Sequence, residues 1–240
     1  MLSKVCPVLA RPSDTSFGER MVDTWDLSGM NTLQYHMPAD MLPFGIVGKI
    51  AYAPDLDTDK NSGNAKGNAR TMTTTTAGRS ATEYQVKAAP IDGLTIGASY
   101  MNFDGEGNAT KSQEAESGAY MATYASGPFS IGYSKAYKAP IVGNLTAAST
   151  VETVDYYDQT NMSVAYAASD NLSVSYEKET SEANYVLNTT ADVEQESTSV
   201  QIAYTMGGAT IAVSHASHDN NGYVDGDNTD QTLFALTMAF

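Results

Sequence analysis

The sequence is poor in cysteine, in basic residues and in long apolar runs, and each shortage excludes a class of protein. The single cysteine, Cys6, allows no disulfide within the chain and no cysteine cluster for a metal. Thirteen Lys and Arg stand against 28 Asp and Glu, and the net charge of −15 argues against nucleic acid as a partner, because phosphate binding needs clustered basic side chains. No stretch approaches the roughly 18 consecutive apolar residues of a transmembrane helix.

Residues that could carry catalysis are also scarce. The chain has only 3 histidines, and on a strand His215 and His218 would point to opposite faces, where they could not share a substrate or a metal. No Gly-x-Ser-x-Gly motif is present. The acidic stretches 55–59 and 225–230 lack the ligand spacing of an EF-hand. We therefore expect a protein that is not an enzyme and that binds no metal and no cofactor.

What the sequence does have is alternation with a period of two. In the closing segment DQTLFALTMAF, large apolar residues at even positions alternate with smaller or more polar ones at odd positions. This period is typical of a strand whose two faces meet different surroundings. The same pattern recurs upstream in five pairs of segments, each joined by a short turn such as GG, SDN or SGP.

The connections between these elements indicate the fold class. Within a pair they are short, whereas the pairs are separated by long polar stretches at 54–82, 104–117, 139–152, 180–197 and 219–230. Short turns at one end and long loops at the other are typical of an outer-membrane barrel, whereas a soluble sandwich has shorter and more even connections. The sequence predicts an all-β, transmembrane, antiparallel up-and-down β-barrel with about eleven strands present.

The positions of the side chains predict what each face meets. Apolar and aromatic residues of one parity would face lipid, with tyrosines near both strand ends (Tyr157 among those on the loop side) forming two interfacial girdles. Small polar residues of the other parity would face a water-filled interior. The charged and amide residues expected in that interior are Gln34, Lys49, Glu83, Gln85, Lys87, Lys138, Glu177 and Gln201.

Two segments resemble a known family. The closing strand FALTMAF and the stretch NTLQYHMPADMLPFGIVGKIAYAP, with Asn31, Gln34, Tyr35, Pro38 and Phe44, resemble the general diffusion porins of Gram-negative bacteria. The resemblance implies location in the outer membrane, passive diffusion of small hydrophilic solutes and ions, contact with outer-membrane lipid and assembly as a homotrimer. It also implies that the closing strand is the signal for barrel assembly, carried by Phe234, Leu236, Met238 and Phe240.

The resemblance further implies a division of the chain. Residues 1–25 would hold an irregular N-terminus and the remnant of the inward-folded constriction loop, in which Glu19, Arg20 and Asp23 are candidates for the charged pore eyelet. Residues 26–240 would be barrel strands. Since barrels of that family have sixteen strands and no secretory signal opens this chain, we expect about five strands to be missing upstream.

One alternative function remains open at this point. The same alternation would serve a non-transport outer-membrane barrel, or a secreted β protein acting as an adhesin or structural surface protein through its long polar loops. Conductance distinguishes these proteins from a channel.

Overall fold

The computed structural model describes residues 24, 32–38, 41–54, 80–104, 111–113, 116–139, 142–143, 154–185 and 191–238. Within these ranges the chain forms thirteen β-strands and two single-turn 3₁₀ segments. The strands are β1 Leu33–His36, β2 Val47–Ala53, β3 Ser80–Ile91, β4 Leu94–Asp104, β5 Lys111–Gln113, β6 Glu116–Ser126, β7 Phe129–Ala139, β8 Val142–Gly143, β9 Val154–Ala167, β10 Leu172–Tyr185, β11 Val193–Met206, β12 Ala209–Asp219 and β13 Thr229–Met238.

Eleven of these strands form one sheet in which each strand pairs with its neighbours in sequence. The order is β1-β2-β3-β4-β6-β7-β9-β10-β11-β12-β13, and every pair is antiparallel. The short strands β5 and β8 pair with each other apart from this sheet. Among the described residues, β1 and β13 do not pair with one another. The predicted all-β, up-and-down antiparallel arrangement of eleven strands is confirmed.

The tight ends of the hairpins depend on glycine at positive φ. Gly93 (φ +77°) closes the turn from β3 to β4, and Gly207 (φ +61°) closes the turn from β11 to β12. A side chain in this left-handed region costs about 1–2 kcal/mol, so glycine is favoured there. These turns set the register in which Ile91 faces Leu94 and Met206 faces Ala209.

The two faces of the sheet differ as the alternation predicts. We call inner the face whose side chains are mostly buried, such as Ala51, Met101, Gln159 and Gln201, and outer the opposite face. Ile202 and Phe234 on the outer face are 47% and 74% exposed. An exposed apolar wall running over eleven strands is far larger than a soluble protein presents, and hydrocarbon is the medium that suits it.

Three details of the sequence prediction are wrong. The short strands β5 and β8 lie within the predicted loops 104–117 and 139–152. The predicted loop 180–197 is mostly strand, since β10 continues to Tyr185 and β11 begins at Val193. The alternation fails there because the residues are polar on both faces. Tyr157, expected in the outer girdle, lies on the inner face and is 2% exposed. Its register partners Lys138 and Ala183 also lie on the inner face. The prediction placed Tyr157 in the girdle because the residue is near a strand end, and did not use the face to which its side chain belongs.

No helix among the described residues is long and apolar enough to cross a membrane.

Candidate pore lining

The inner face of β9–β12 carries a row of polar side chains that are neighbours across the strands. Asn161 of β9 faces Glu179 of β10, Glu179 faces Ser197 of β11, and Ser197 faces His218 of β12. All four residues are fully buried. The amide Nδ2 of Asn161 donates to Glu179 Oε1 at 3.0 Å, and Ser197 Oγ lies 2.7 Å from His218 Nδ1. The row therefore contains two hydrogen-bonded pairs of buried polar side chains on the inner face.

A second row lies one pleat closer to the short turns. Ser163 faces Glu177, which faces Ser199. Asn161 Nδ2 also donates to Glu177 Oε1, at 2.5 Å, and Gln201 Nε2 donates to Ser199 Oγ at 3.2 Å. Serine, amide and carboxylate groups supply both donors and acceptors, and on this face they are buried and bond to one another.

The residues predicted for the interior on the first strands form a second polar group. Lys49 Nζ lies 3.4 Å from Glu83 Oε2, and Gln85 Nε2 donates to Glu83 Oε1. Gln34 shares a face with Ala51, its register partner, and hydrogen-bonds to Thr32. The structure thus brings four of the predicted residues onto the inner face of β1–β3.

The other charged residues predicted for the interior lie apart from these two polar groups or outside the described residues. Lys87 faces Gly97 on the inner side near the turn and is exposed, whereas Lys138 faces Ser117 and is 3% exposed. Glu19, Arg20 and Asp23 lie outside the described residues, so their place in a constriction stays a prediction.

A loop between β12 and β13 covers the loop end of these rows. Tyr223 Oη lies 2.7 Å from Ser181 Oγ of β10, and its ring lies 5.2 Å from the ring of Tyr157 on β9. Asn220 holds the loop by donating from Nδ2 to the Glu194 carbonyl oxygen and by accepting from the Gly226 amide at 2.9 Å. The loop therefore reaches inward across β11 and β10 to β9.

Reasoning from the sequence missed several residues of these rows. Asn161, Glu179, Ser197 and His218 have the same parity as the assigned Glu177 and Gln201, so parity alone would have found them. No pattern in the sequence predicts that Tyr223 contacts Ser181 and Tyr157, because the geometry of this loop depends on tertiary contacts. In the part of the chain that the structure describes, no group of three His, Cys, Asp or Glu side chains is placed to hold a metal ion.

The proposed assembly signal lies on the outer face. Phe234, Leu236 and Met238 face Val213, Ile211 and Ala209 of β12 and are exposed, whereas Phe240 lies outside the described residues. Their placement beside lipid agrees with the parity. Their role in assembly stays a prediction.

The fold resembles solved structures of an outer-membrane protein. The chain is similar to outer-membrane expressed OmpT of Vibrio cholerae, with a TM-score of 0.51 at 15% identity over 85% of this chain and 61% of that chain. In-vitro folded OmpT of the same organism gives a TM-score of 0.50 at 13% identity over 85% of this chain and 60% of that chain. The fold is that of an outer-membrane β-barrel. Together with the exposed apolar wall, it locates the protein in the outer membrane.

No family model and no curated protein matches the chain. The chain spans about 61% of the length of the OmpT structure, and identities of 13–15% show a shared fold only. A trimer form of the Vibrio cholerae protein is among the matched structures. The barrel is thus shown, while the general diffusion porin family is not.

The prediction that the chain is not an enzyme is contradicted by the same findings. Its structural neighbours include OmpT of Vibrio cholerae, and this likeness removes the ground for excluding enzymatic activity. Only pairs of histidines entered the prediction, whereas the structure places His218 in contact with Ser197 of the neighbouring strand. Glu179 is the register partner of that serine.

Proposed function

We propose that the protein forms a water-filled channel through which small hydrophilic solutes and ions diffuse passively across the outer membrane. The observation that carries this proposal is the contrast between the two faces of single strands. On β11, Ser199 and Gln201 are buried on the inner face, while Val200, Ile202 and Tyr204 are exposed on the outer face. An apolar exterior with a polar interior is the arrangement of a membrane channel.

The inner wall carries charges of both signs. Lys49 on β2 lies 3.4 Å from Glu83 on β3. Lys87 and Lys138 lie on β3 and β7, and Glu177 and Glu179 lie together on β10. Charged groups on a channel wall set which ions pass, and the net charge of −15 raises the local concentration of cations. We expect a mild cation preference, strongest at low salt, since charges in loops are screened within about 8 Å at physiological ionic strength.

Planar-bilayer recording of the protein extracted from outer membranes tests the channel. The proposal predicts steady conductance steps that grow with salt concentration and a small reversal potential of cation-selective sign in a salt gradient. Protein that inserts and shows heat-modifiable mobility on a gel but gives no conductance would overturn it. An anion-selective reversal potential would overturn the cation preference alone. Assembly as a homotrimer with a constriction at Glu19, Arg20 and Asp23 rests on the family resemblance.

A hydrolytic activity is the second candidate, and one contact favours it. Ser197 Oγ lies 2.7 Å from His218 Nδ1, within the reach that a base needs to take the proton of a serine nucleophile. Covalent labelling by a fluorophosphonate, lost in Ser197→Ala and retained in Ser199→Ala, would support it. Absence of labelling in the natural protein would reject it.

A further inference from the structure

A groove crosses the outer face of β4, β6 and β7 toward the end of the sheet that carries the long loops. Its floor consists of small residues on successive strands, Ala98, Gly118 and Ala139. Ala98 faces Tyr120 on β6, and Gly118 lies two residues further toward the loops. Gly118 faces Tyr137 on β7, and Ala139 lies two residues further in the same direction. The floor therefore runs diagonally across three strands, in a cavity of about 730 Å³, which is the size of a small-molecule site.

Tyrosine rings form the sides of this groove. The tyrosines that line it are Tyr100, Tyr120, Tyr137 and Tyr156. The ring of Tyr137 lies against Gly118, where an added methyl group would come within 2.8 Å of Tyr137 Cε1. Tyr100 Oη donates a hydrogen bond of 2.7 Å to Glu116 Oε2, which also lines the groove. A ligand in the groove therefore meets the apolar faces of rings together with polar atoms at their edges.

An ion pair at the side of the groove leaves one oxygen atom unsatisfied. Lys135 and Asp158 both line the groove, and Lys135 Nζ lies 3.0 Å from Asp158 Oδ2. The other oxygen, Asp158 Oδ1, is buried and makes no hydrogen bond within the described part of the chain. A buried acceptor without a partner is costly, so a ligand that brings a donor is favoured. A hydroxyl group donates to a carboxylate and also accepts from an ammonium group, which suits both members of this pair.

The groove begins where the apolar part of the outer face ends. One pleat closer to the short turns than Lys135, the outer face carries the exposed side chains of Ile96, Tyr133 and Met162. In an outer-membrane barrel the long loops are extracellular, so the groove lies at the level of the outer leaflet. A lipid in that leaflet would place its acyl chains beside the apolar residues and its headgroup in the groove.

We propose that this groove binds the sugar headgroup of a glycolipid of the outer leaflet. The sugar ring packs against the faces of Tyr120 and Tyr137, and its hydroxyl groups donate to Asp158 and accept from Lys135. The phosphodiester of a phospholipid brings only acceptors and would leave Asp158 Oδ1 unpaired. An ammonium headgroup brings only donors and would place a second positive charge beside Lys135. The site is separate from the proposed channel, because it lies on the outer face of the sheet.

Native mass spectrometry of the protein extracted from outer membranes and released from detergent micelles tests the site. The probes share the same two acyl chains and differ in the headgroup: glucosyl diacylglycerol, phosphatidylethanolamine, and diacylglycerol, which has no headgroup beyond its hydroxyl. We expect the first glucosyl lipid to bind about tenfold or more tightly than either of the others, since its hydroxyl groups gain hydrogen bonds that the other two lipids lack.

Two variants and their matched controls locate the binding. Ala98→Leu fills the floor and should weaken binding of the glucosyl lipid about tenfold, whereas Ala122→Leu, on the same face one pleat toward the turns and outside the groove, should change it less than about twofold. Asp158→Asn removes the charged acceptor and should weaken binding about fivefold. Its control, Glu194→Gln, removes a carboxylate from the outer face of β11 and should leave the affinity unchanged.

Several outcomes overturn the proposal. Equal affinity for the three lipids rejects it without any variant, and tighter binding of phosphatidylethanolamine rejects recognition of a sugar. A loss in Ala122→Leu as large as that in Ala98→Leu shows that the lipid binds elsewhere. If Ala98→Leu loses heat-modifiable mobility, Asp158→Asn decides, and unchanged affinity in that variant rejects the site. Oligomers that Ala98→Leu disperses, without binding of the glucosyl lipid, would show that a second copy of the chain covers the groove instead.

Discussion

The turn-side and loop-side halves of β10 and β11 share two strands but differ in chemistry. On the turn side, outer residues such as Val174, Tyr176, Val200 and Ile202 are apolar, while the inner residues are polar. On the loop side the outer positions are polar as well, among them Lys178, Thr180, Glu182, Glu194, Glu196 and Thr198. Only lipid requires an apolar outer face, so the difference marks where hydrocarbon ends.

The boundary is consistent between neighbouring strands. Tyr176 faces Val200 and, one pleat on, Lys178 faces Thr198. The change from apolar to polar therefore occurs at the same register on both strands. The outer-face ion pairs Lys135–Asp158 at 3.0 Å and Lys178–Glu196 at 2.7 Å both lie on the polar side of it, where headgroups and water solvate charge. The loop-side halves of these strands therefore lie outside the hydrocarbon layer.

The largest effect we expect comes from placing a charge on each side of this boundary. Ile202→Arg puts a guanidinium on the turn-side outer face and should lower the free energy of unfolding by about 2–4 kcal/mol, because arginine near the bilayer midplane is costly. Thr198→Arg, four residues along the same face, should cost about 0–1 kcal/mol. Equilibrium unfolding of both variants in lipid vesicles measures the difference. Equal losses of stability would show that no hydrocarbon boundary lies between these two residues.

An intermediate effect is expected at the tight turns. In Gly93→Ala the new methyl group would collide with the carbonyl oxygen of Ala125 in addition to adopting positive φ. In Gly207→Ala the methyl group meets open space at a similar φ. We expect losses of about 2–3 and about 1 kcal/mol respectively, read from the temperature at which heat-modifiable mobility is lost. A larger loss at Gly207 would be inconsistent with the register of β4 and β6.

The smallest effect is expected at a loop-side ion pair. Lys178 and Glu196 are each about one-third exposed, and exposed pairs contribute about 0–1 kcal/mol. Lys178→Met should therefore change stability by no more than this, and the change should shrink further at high salt. Unfolding measured at low and high salt tests the point. If Lys178→Met lowers the free energy of unfolding by more than about 2 kcal/mol, and equally at low and high salt, the pair lies inside the membrane.

The sequence predicted the turn-side halves of the strands well, because one buried polar face and one lipid face leave only one register. The hairpins around Gly207 and around Asp170 are confirmed residue by residue in the pairing. The loop-side halves were missed. Where the outer face meets water, its residues are polar and the alternation of apolar and polar residues is lost. The sequence there resembles a loop, although the structure has strand at Thr180–Tyr185 and Val193–Ser197.

For the candidate site, the sequence predicted only which residues lie on the inner face. Glu177 and Gln201 were assigned to the interior, and the structure places both there. The convergence of Glu177 and Glu179 on Asn161 depends on the pairing of β9 with β10, and the reach of Tyr223 to Ser181 depends on a loop that crosses two strands. Local sequence predicts neither contact, because each joins residues that are many positions apart in the chain.

Cysteine labelling along the whole of β11 measures which face of the sheet meets lipid and where the hydrocarbon ends. In a Cys6→Ser background, single cysteines from 193 to 206 are exposed to a lipid-soluble and to a membrane-impermeant thiol reagent. We expect labelling by the lipid-soluble reagent at Val200, Ile202 and Tyr204, and labelling by the impermeant reagent at Glu194, Glu196 and Thr198 on the same face. A cysteine at Gln201 that reacts from lipid while one at Ile202 reacts only from water would contradict this expectation.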